Sequence, residues 1–138
     1  MRPHTITYPP DGVEPIGVIE FVHGMCETRN RYAAPMEYFS RRGYICAIAD
    51  MRGHGENILT TDDLGYFGEE GYKGLVNDVQ EYTMYLKREF PNLPFILLGH
   101  SMGSLVVRTY LKKYSQEVDA VILSVSPSEN SLAAAGKF

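Results

Sequence analysis

Apolar residues in this chain gather into two kinds of run that alternate along its length. Residues 18–22, 44–49, 95–98 and 120–125 are strand-length, nearly continuous in apolar character, and bounded by Gly, Pro, Asp or Ser. Such runs predict strands buried on both faces. The segments between them carry a helical period instead. Tyr32, Met36 and Phe39 recur at helix spacing, with Pro35 suited to a first turn and Gly43 to the position past the last one. Leu75, Val79, Tyr82 and Leu86 form a stripe at i, i+4, i+7 and i+11 that Pro91 and Pro94 bring to a stop, which predicts the longest helix. Leu105, Val106, Thr109 and Tyr110 predict a third amphipathic face, closed by Lys112 and Lys113 where cations suit a helix C-terminus. Thr5, Ile6 and Thr7 predict one short antiparallel strand before all of these. Strand and helix in strict alternation imply right-handed crossovers, hence an α/β protein with a mainly parallel sheet flanked by helices. Ligands then sit outside the carboxyl ends of the strands.

Composition narrows the classes of function. The 138 residues are 44% hydrophobic and carry a formal charge of −4, an ordinary balance for one globular domain. Lys and Arg form no stripe, which argues against nucleic acid as partner, because phosphate binding needs clustered cations. Cys26 and Cys46 lie far apart without metal-ligand spacing, so no metal site is expected. The loop after the first buried strand, His23-Gly24-Met25-Cys26-Glu27, lacks the G-x-G-x-x-G of a dinucleotide fold, and no cofactor is expected. No apolar run approaches the ~18 residues of a membrane span, and the N-terminus lacks a secretory apolar segment; the expected location is cytoplasmic.

The third buried run leads into Gly99-His100-Ser101-Met102-Gly103, a G-x-S-x-G sequence between a predicted strand and a predicted helix. A serine on such a turn is forced into strained backbone geometry that presents its hydroxyl outward, while Gly99 and Gly103 let neighbouring backbone pass without a Cβ. The helix that starts there offers unpaired N–H groups and a positive dipole end to a developing oxyanion. Ser101 is thereby the candidate nucleophile, with His100 in loop packing. The oxyanion donors are the backbone N–H groups of Met102, next after the nucleophile, and Met25, next after His23-Gly24. His23 reads as an organiser of that loop through hydrogen bonds rather than as a base. Asp50-Met51-Arg52-Gly53-His54-Gly55 ends the second strand, and its Asp and Arg are expected to pin the loop, with His54 in packing. Cys26 has no base placed for it and reads as a bystander.

Taken together, residues 22–27, 50–55, 62–68 and 98–104, in this order and at these spacings, resemble the α/β-hydrolase superfamily. Within it they are most similar to the monoacylglycerol lipase and lysophospholipase-like branch, the serine aminopeptidase S33 type. The resemblance runs from about Gly17 to Ser126. It implies hydrolysis of carboxylic esters, lipid-like in class, through an acyl-enzyme on Ser101. The departures are equally specific. The triad of this fold runs Ser, then Asp or Glu, then His. Yet the four histidines are His4, His23, His54 and His100, and none follows Ser101. Beyond Ser101 the acids are Glu117, Asp119 and Glu129, of which Asp119 is expected at the solvent end of the last strand. The expectation is the N-terminal part of one hydrolase domain, residues 1–138. It would have nucleophile and oxyanion hole but lack the lid and the later β-α units, and residues 128–137 would be the start of a lid. Such a chain alone is expected to be inactive, and to self-associate or take a complementing C-terminal chain along its bare sheet edge. The alternative is a non-catalytic binding module on the hydrolase scaffold.

Overall fold

In the computed structural model, residues 2–128 are described. They form β1 (His4–Thr7), β2 (Gly17–Val22), α1 (Ala33–Ser40), β3 (Tyr44–Ala49), α2 (Tyr72–Glu89), β4 (Phe95–His100), α3 (Met102–Tyr114) and β5 (Ala120–Ser124), with four short 3₁₀ turns between them. The sheet order is β1-β3-β2-β4-β5. β3, β2, β4 and β5 pair in parallel and β1 closes one edge antiparallel to β3, with Thr5 opposite Ile48. The α/β architecture expected from the alternation is therefore present, with a mixed sheet of five strands.

Every residue of β2 is buried, and the strand's two-residue period divides it between two cores. Ile19 and Phe21 pack with Cys46, Ile48 and Leu98 under Tyr32 and Met36 of the α1 side. On the other face, Val18 meets Ile45, Ala47, Phe95, Tyr82 and Leu86, and Val22 meets Leu75, Val79, Leu97, Val106 and Tyr110 from α2 and α3. The continuous apolarity of the central runs thus has its cause in helices on both faces.

At the carboxyl ends of the strands two boundaries differ from the sequence reading, and one helix face differs as well. β4 runs on through Gly99 to His100, so the turn begins only at Ser101. β5 stops at Ser124, because Val125 takes φ 49° and leaves the sheet. In α3 the buried stripe is Gly103, Val106, Val107 and Tyr110, at i, i+3, i+4 and i+7, while Leu105 lies off it and is exposed. Glycine at the head of that stripe, invisible to an apolar count, shifts the face. Residues 129–137, read from the sequence as the start of a lid, lie outside the described residues.

Candidate active site

The carboxyl ends of β2 and β4 bring the two expected loops together. Ser101 follows β4 at φ 53°, ψ −120°, immediately before the first residue of α3. That left-handed backbone costs a non-glycine residue about 1–3 kcal/mol and persists only where surroundings hold it. Three bonds hold it here: Ser101 N–H donates to the Ser124 carbonyl at 2.9 Å, and the Ser101 carbonyl accepts Ser104 N–H at 2.9 Å and the Ser104 hydroxyl. The Ser101 hydroxyl itself bonds to no described residue, so it is free for chemistry.

The glycines explain how close the parts come. A Cβ at Gly103 would lie 2.0 Å from the Val22 carbonyl oxygen and 2.6 Å from that of His23, and one at Gly99 would lie 2.6 Å from the Gly103 oxygen. Only glycine lets the start of α3 sit against the end of β2. A Cβ on Gly24 would be 3.2 Å from Ser101 Cβ and 2.9 Å from Glu27 Oε2. The loop after β2 therefore abuts the serine, with Met25 next along it. Among the described residues, the N–H groups of Met25 and Met102 have no acceptor, and Met102 is the first residue of α3, where no intrahelical acceptor exists.

Glu27 fixes the loop, a role the sequence did not disclose. Its Oε2 accepts Gly24 N–H at 2.7 Å and the Tyr32 hydroxyl at 2.7 Å, and Arg31 pairs with Oε1 at 3.1 Å. Burial pushes this carboxyl up, but those donors outweigh it and hold it below the usual carboxylate range. The only advance signal was its place three residues after Gly24.

His23 is fully buried, and both of its ring nitrogens are spoken for. Met51 N–H donates to Nε2 at 3.0 Å, so Nε2 is an acceptor and Nδ1 carries the proton that bonds the Gly24 carbonyl at 2.8 Å. Burial pushes its pKa down, more than the Gly24 carbonyl raises it. The ring ties the β2 loop to the β3 loop as a neutral strut, as expected of an organiser. His54 bonds the Arg52 carbonyl and stacks on Phe67, and His100 bonds the Ser124 hydroxyl at 3.0 Å.

Asp50 and Arg52 pin their loop as expected, but with separate partners. Asp50, fully buried, accepts Arg29 N–H at 2.7 Å and the Arg29 guanidinium; Arg52 grips Asp78 of α2 with two bonds of 2.6 Å. Asp119 is exposed at the start of β5 and accepts Phe95 N–H, at the opposite end of the sheet from Ser101. Cys46 is buried and its thiol pushed up to about 12; Cys26 is exposed beside Met25 with no charged partner. Among the described residues no cluster of His, Cys, Asp or Glu is placed to hold a metal ion, and no helix is long and apolar enough to cross a membrane.

With that geometry in hand, comparison with known proteins is informative. The family model for serine aminopeptidase, S33, matches residues 13–131. The monoacylglycerol lipase of Mycolicibacterium smegmatis is 32% identical over 114 residues, which is 80% of this chain and 38% of that protein. Phospholipase YtpA of Bacillus subtilis is 32% identical over 111 residues, 80% of this chain and 40% of its own length. Among solved structures, a thermostable carboxyl esterase from Bacillus coagulans superposes with a TM-score of 0.80 at 29% identity, covering 87% of this chain and 38% of that one. A monoglyceride lipase from Saccharomyces cerevisiae superposes with a TM-score of 0.77 at 22% identity, a likeness of fold alone, over 97% of this chain and 44% of that one. The chain thus spans about two-fifths of the length of the curated relatives it matches.

Proposed function

The chain belongs to the serine aminopeptidase S33 family of α/β-hydrolases, and on that premise we propose that it is the nucleophile-bearing portion of a serine esterase acting on monoacylglycerol-like or lysophospholipid-like esters. In this reading Ser101 Oγ attacks the ester carbonyl, and the N–H groups of Met25 and Met102 hold the resulting oxyanion. Water then releases the acid from the acyl-enzyme. The histidine that takes the serine proton, and the acid that orients it, come from polypeptide outside these 138 residues. That same polypeptide supplies the neighbour that β5 lacks.

The observation that carries the reading is the backbone of Ser101: a strained φ of 53°, held by bonds on both sides, with a free hydroxyl and two acceptor-less N–H groups beside it. A structural turn has no need of that strain. The names of the relatives, a monoacylglycerol lipase and a phospholipase, support the lipid-like ester class. His23, the histidine on the loop that abuts Ser101, is already used on both nitrogens, which supports a base from elsewhere.

The test has two arms. The 138 residues alone, incubated with a p-nitrophenyl short-chain ester, turn over negligibly. The same residues expressed with an in-frame downstream sequence bearing Asp and His hydrolyse it, and Ser101→Ala lowers that rate by about 10⁴-fold or more. Turnover by the chain alone that Ser101→Ala abolishes would refute the borrowed base. A stop codon after Phe138 would instead favour the non-catalytic binding module, which the engagement of His23 also fits.

A further inference from the structure

On the α2 side of the sheet lies a cavity of about 290 Å³ whose walls include Glu20, Tyr82, Tyr85, Asp78 and Arg2; it reaches Val22, Asp50 and Met51 beside the candidate site but not Ser101, Met25 or Met102. Two of its groups are chemically unfinished. Glu20, in the middle of β2, is 2% exposed, and among the described residues its carboxyl has a single partner, the Thr83 hydroxyl donating to Oε2 at 2.6 Å. Tyr82, 7% exposed, has a buried hydroxyl with no partner among the described residues. Buried polar groups are ordinarily satisfied, and an orphan in a cavity wall points to something that fills it.

The charges around Glu20 define what is missing. Asp78 on α2 is occupied by Arg2 and Arg52, and Asp50 after β3 by Arg29. Glu81 and Arg88 on α2 are exposed and opposite in sign; Tyr110 on α3 faces Glu117. Among the described residues, Glu20 is the one buried acid of the wall with no counter-ion. Beside it the rings of Tyr82 and Tyr85 stack at 6.0 Å and 11°, with His4 tilted against both. Buried acid, unpartnered hydroxyl and aromatic faces are complementary to an ammonium group on a short apolar stem.

We propose that this cavity binds a small organic ammonium ion, with the Glu20 carboxylate as counter-ion, the Tyr82 hydroxyl accepting an N–H, and the Tyr82 and Tyr85 rings against the stem. Left empty of cation, the carboxyl stays protonated near neutrality, because burial pushes it up to about 8 against the pull of Thr83. Uptake of the cation therefore expels one proton, from Glu20 to the buffer, and the charge in the cavity balances.

Calorimetric titration of the full chain with ethylammonium chloride tests this, in two buffers of different ionisation enthalpy, neither a primary amine. The expected result is saturable binding with release of close to one proton near pH 7, falling away above about pH 9 where Glu20 is already ionised. Glu20→Gln weakens binding by at least about tenfold and abolishes proton release, and Tyr82→Phe weakens it less. Ethanol, of similar size and uncharged, does not compete. No saturation, binding unchanged in Glu20→Gln, binding without proton release, or equal binding of ethanol would each overturn the proposal. Should Glu20→Gln fail to fold, the proton count on the unaltered chain decides.

Discussion

The two edges of this sheet are built on opposite plans. β1 is four residues long, polar at every position but Ile6, preceded by Pro3 and followed by Pro9 and Pro10. It is also tied down from outside: Arg2 binds Asp78, the Pro3 carbonyl accepts Asp50 N–H, and the His4 ring lies against Tyr82 and Tyr85. β5 has the sequence Ala-Val-Ile-Leu-Ser, with no charge, proline or bulge, and no neighbour beyond β4 among the described residues. Ile122 and Leu123 are each 41% exposed, and Val125 beyond them 74%. Edge strands are normally blunted by charge, proline or short length. β1 has those devices, whereas β5 has the composition of an interior strand. The difference teaches that one end of the sheet is finished by its own sequence, while the other keeps the composition of an interior strand at an edge.

The largest expected effect lies beneath the finished half. Glu20 is held protonated in the fold by burial, at about 8, against an ordinary 4.5. A raised folded pKa contributes stability that is complete below the unfolded value and is lost as pH rises through the folded one. Urea unfolding should therefore show stability declining between about pH 4.5 and pH 8, by a total of the order of 5 kcal/mol from this group at about 1.4 kcal/mol per pH unit. Glu20→Gln should remove that slope and be the more stable protein at pH 8. Parallel pH profiles for the two proteins would mean that Glu20 ionises freely in the fold.

Next in size is the anchor of β1. Asp78 holds both Arg2 and Arg52, and its side chain is 7% exposed. Removing one partner of a buried pair leaves the other charge uncompensated, a loss of 3–5 kcal/mol when both are deeply buried. Here the guanidiniums are partly solvated, so Asp78→Ala should cost about 2–3 kcal/mol in urea unfolding. Amide exchange should quicken along β1 while β5 is unaffected. A uniform change across both edges would show that Asp78 supports the whole fold rather than one end of it.

How much of this could be read in the sequence follows from what each signal reports. The strands and the tight turn at Ser101 were legible because continuous apolar runs and G-x-S-x-G report local geometry, and Gly99, Gly103 and Gly24 occupy contacts that glycine alone permits. Leu105 misled because an apolar count cannot see that Gly103 heads the buried stripe of α3. Glu20 and Asp78 stayed silent because their partners lie on other elements: Thr83 is 63 positions from Glu20, and Arg2 is 76 from Asp78. Whether a lone acid is solvated or buried depends on the folded neighbourhood, which no spacing encodes. His23 was legible in role but not in detail, since its neutral tautomer follows from a Met51 N–H contributed 28 positions away.

The smallest expected effect on the fold, and the sharpest on the comparison, belongs to β5. Its exposed residues contribute little to stability, so Ile122→Lys should change unfolding by less than about 1 kcal/mol. It should instead change association. The parent chain, presenting bare backbone and apolar side chains along one edge, should run on size-exclusion chromatography as concentration-dependent oligomers. Ile122→Lys should shift the equilibrium toward monomer by about tenfold or more, since a charge on an edge strand opposes pairing. His4→Lys, at the edge already blunted, should leave it unmoved. A parent that stays monomeric at high concentration would erase the distinction between the edges. β5 is not spare structure in either case: its Ser124 carbonyl holds Ser101 N–H and its Ser124 hydroxyl holds His100. Whatever pairs with β5 therefore leans on the strand that keeps the serine in its strained turn, and an edge left bare leaves that support on one side only.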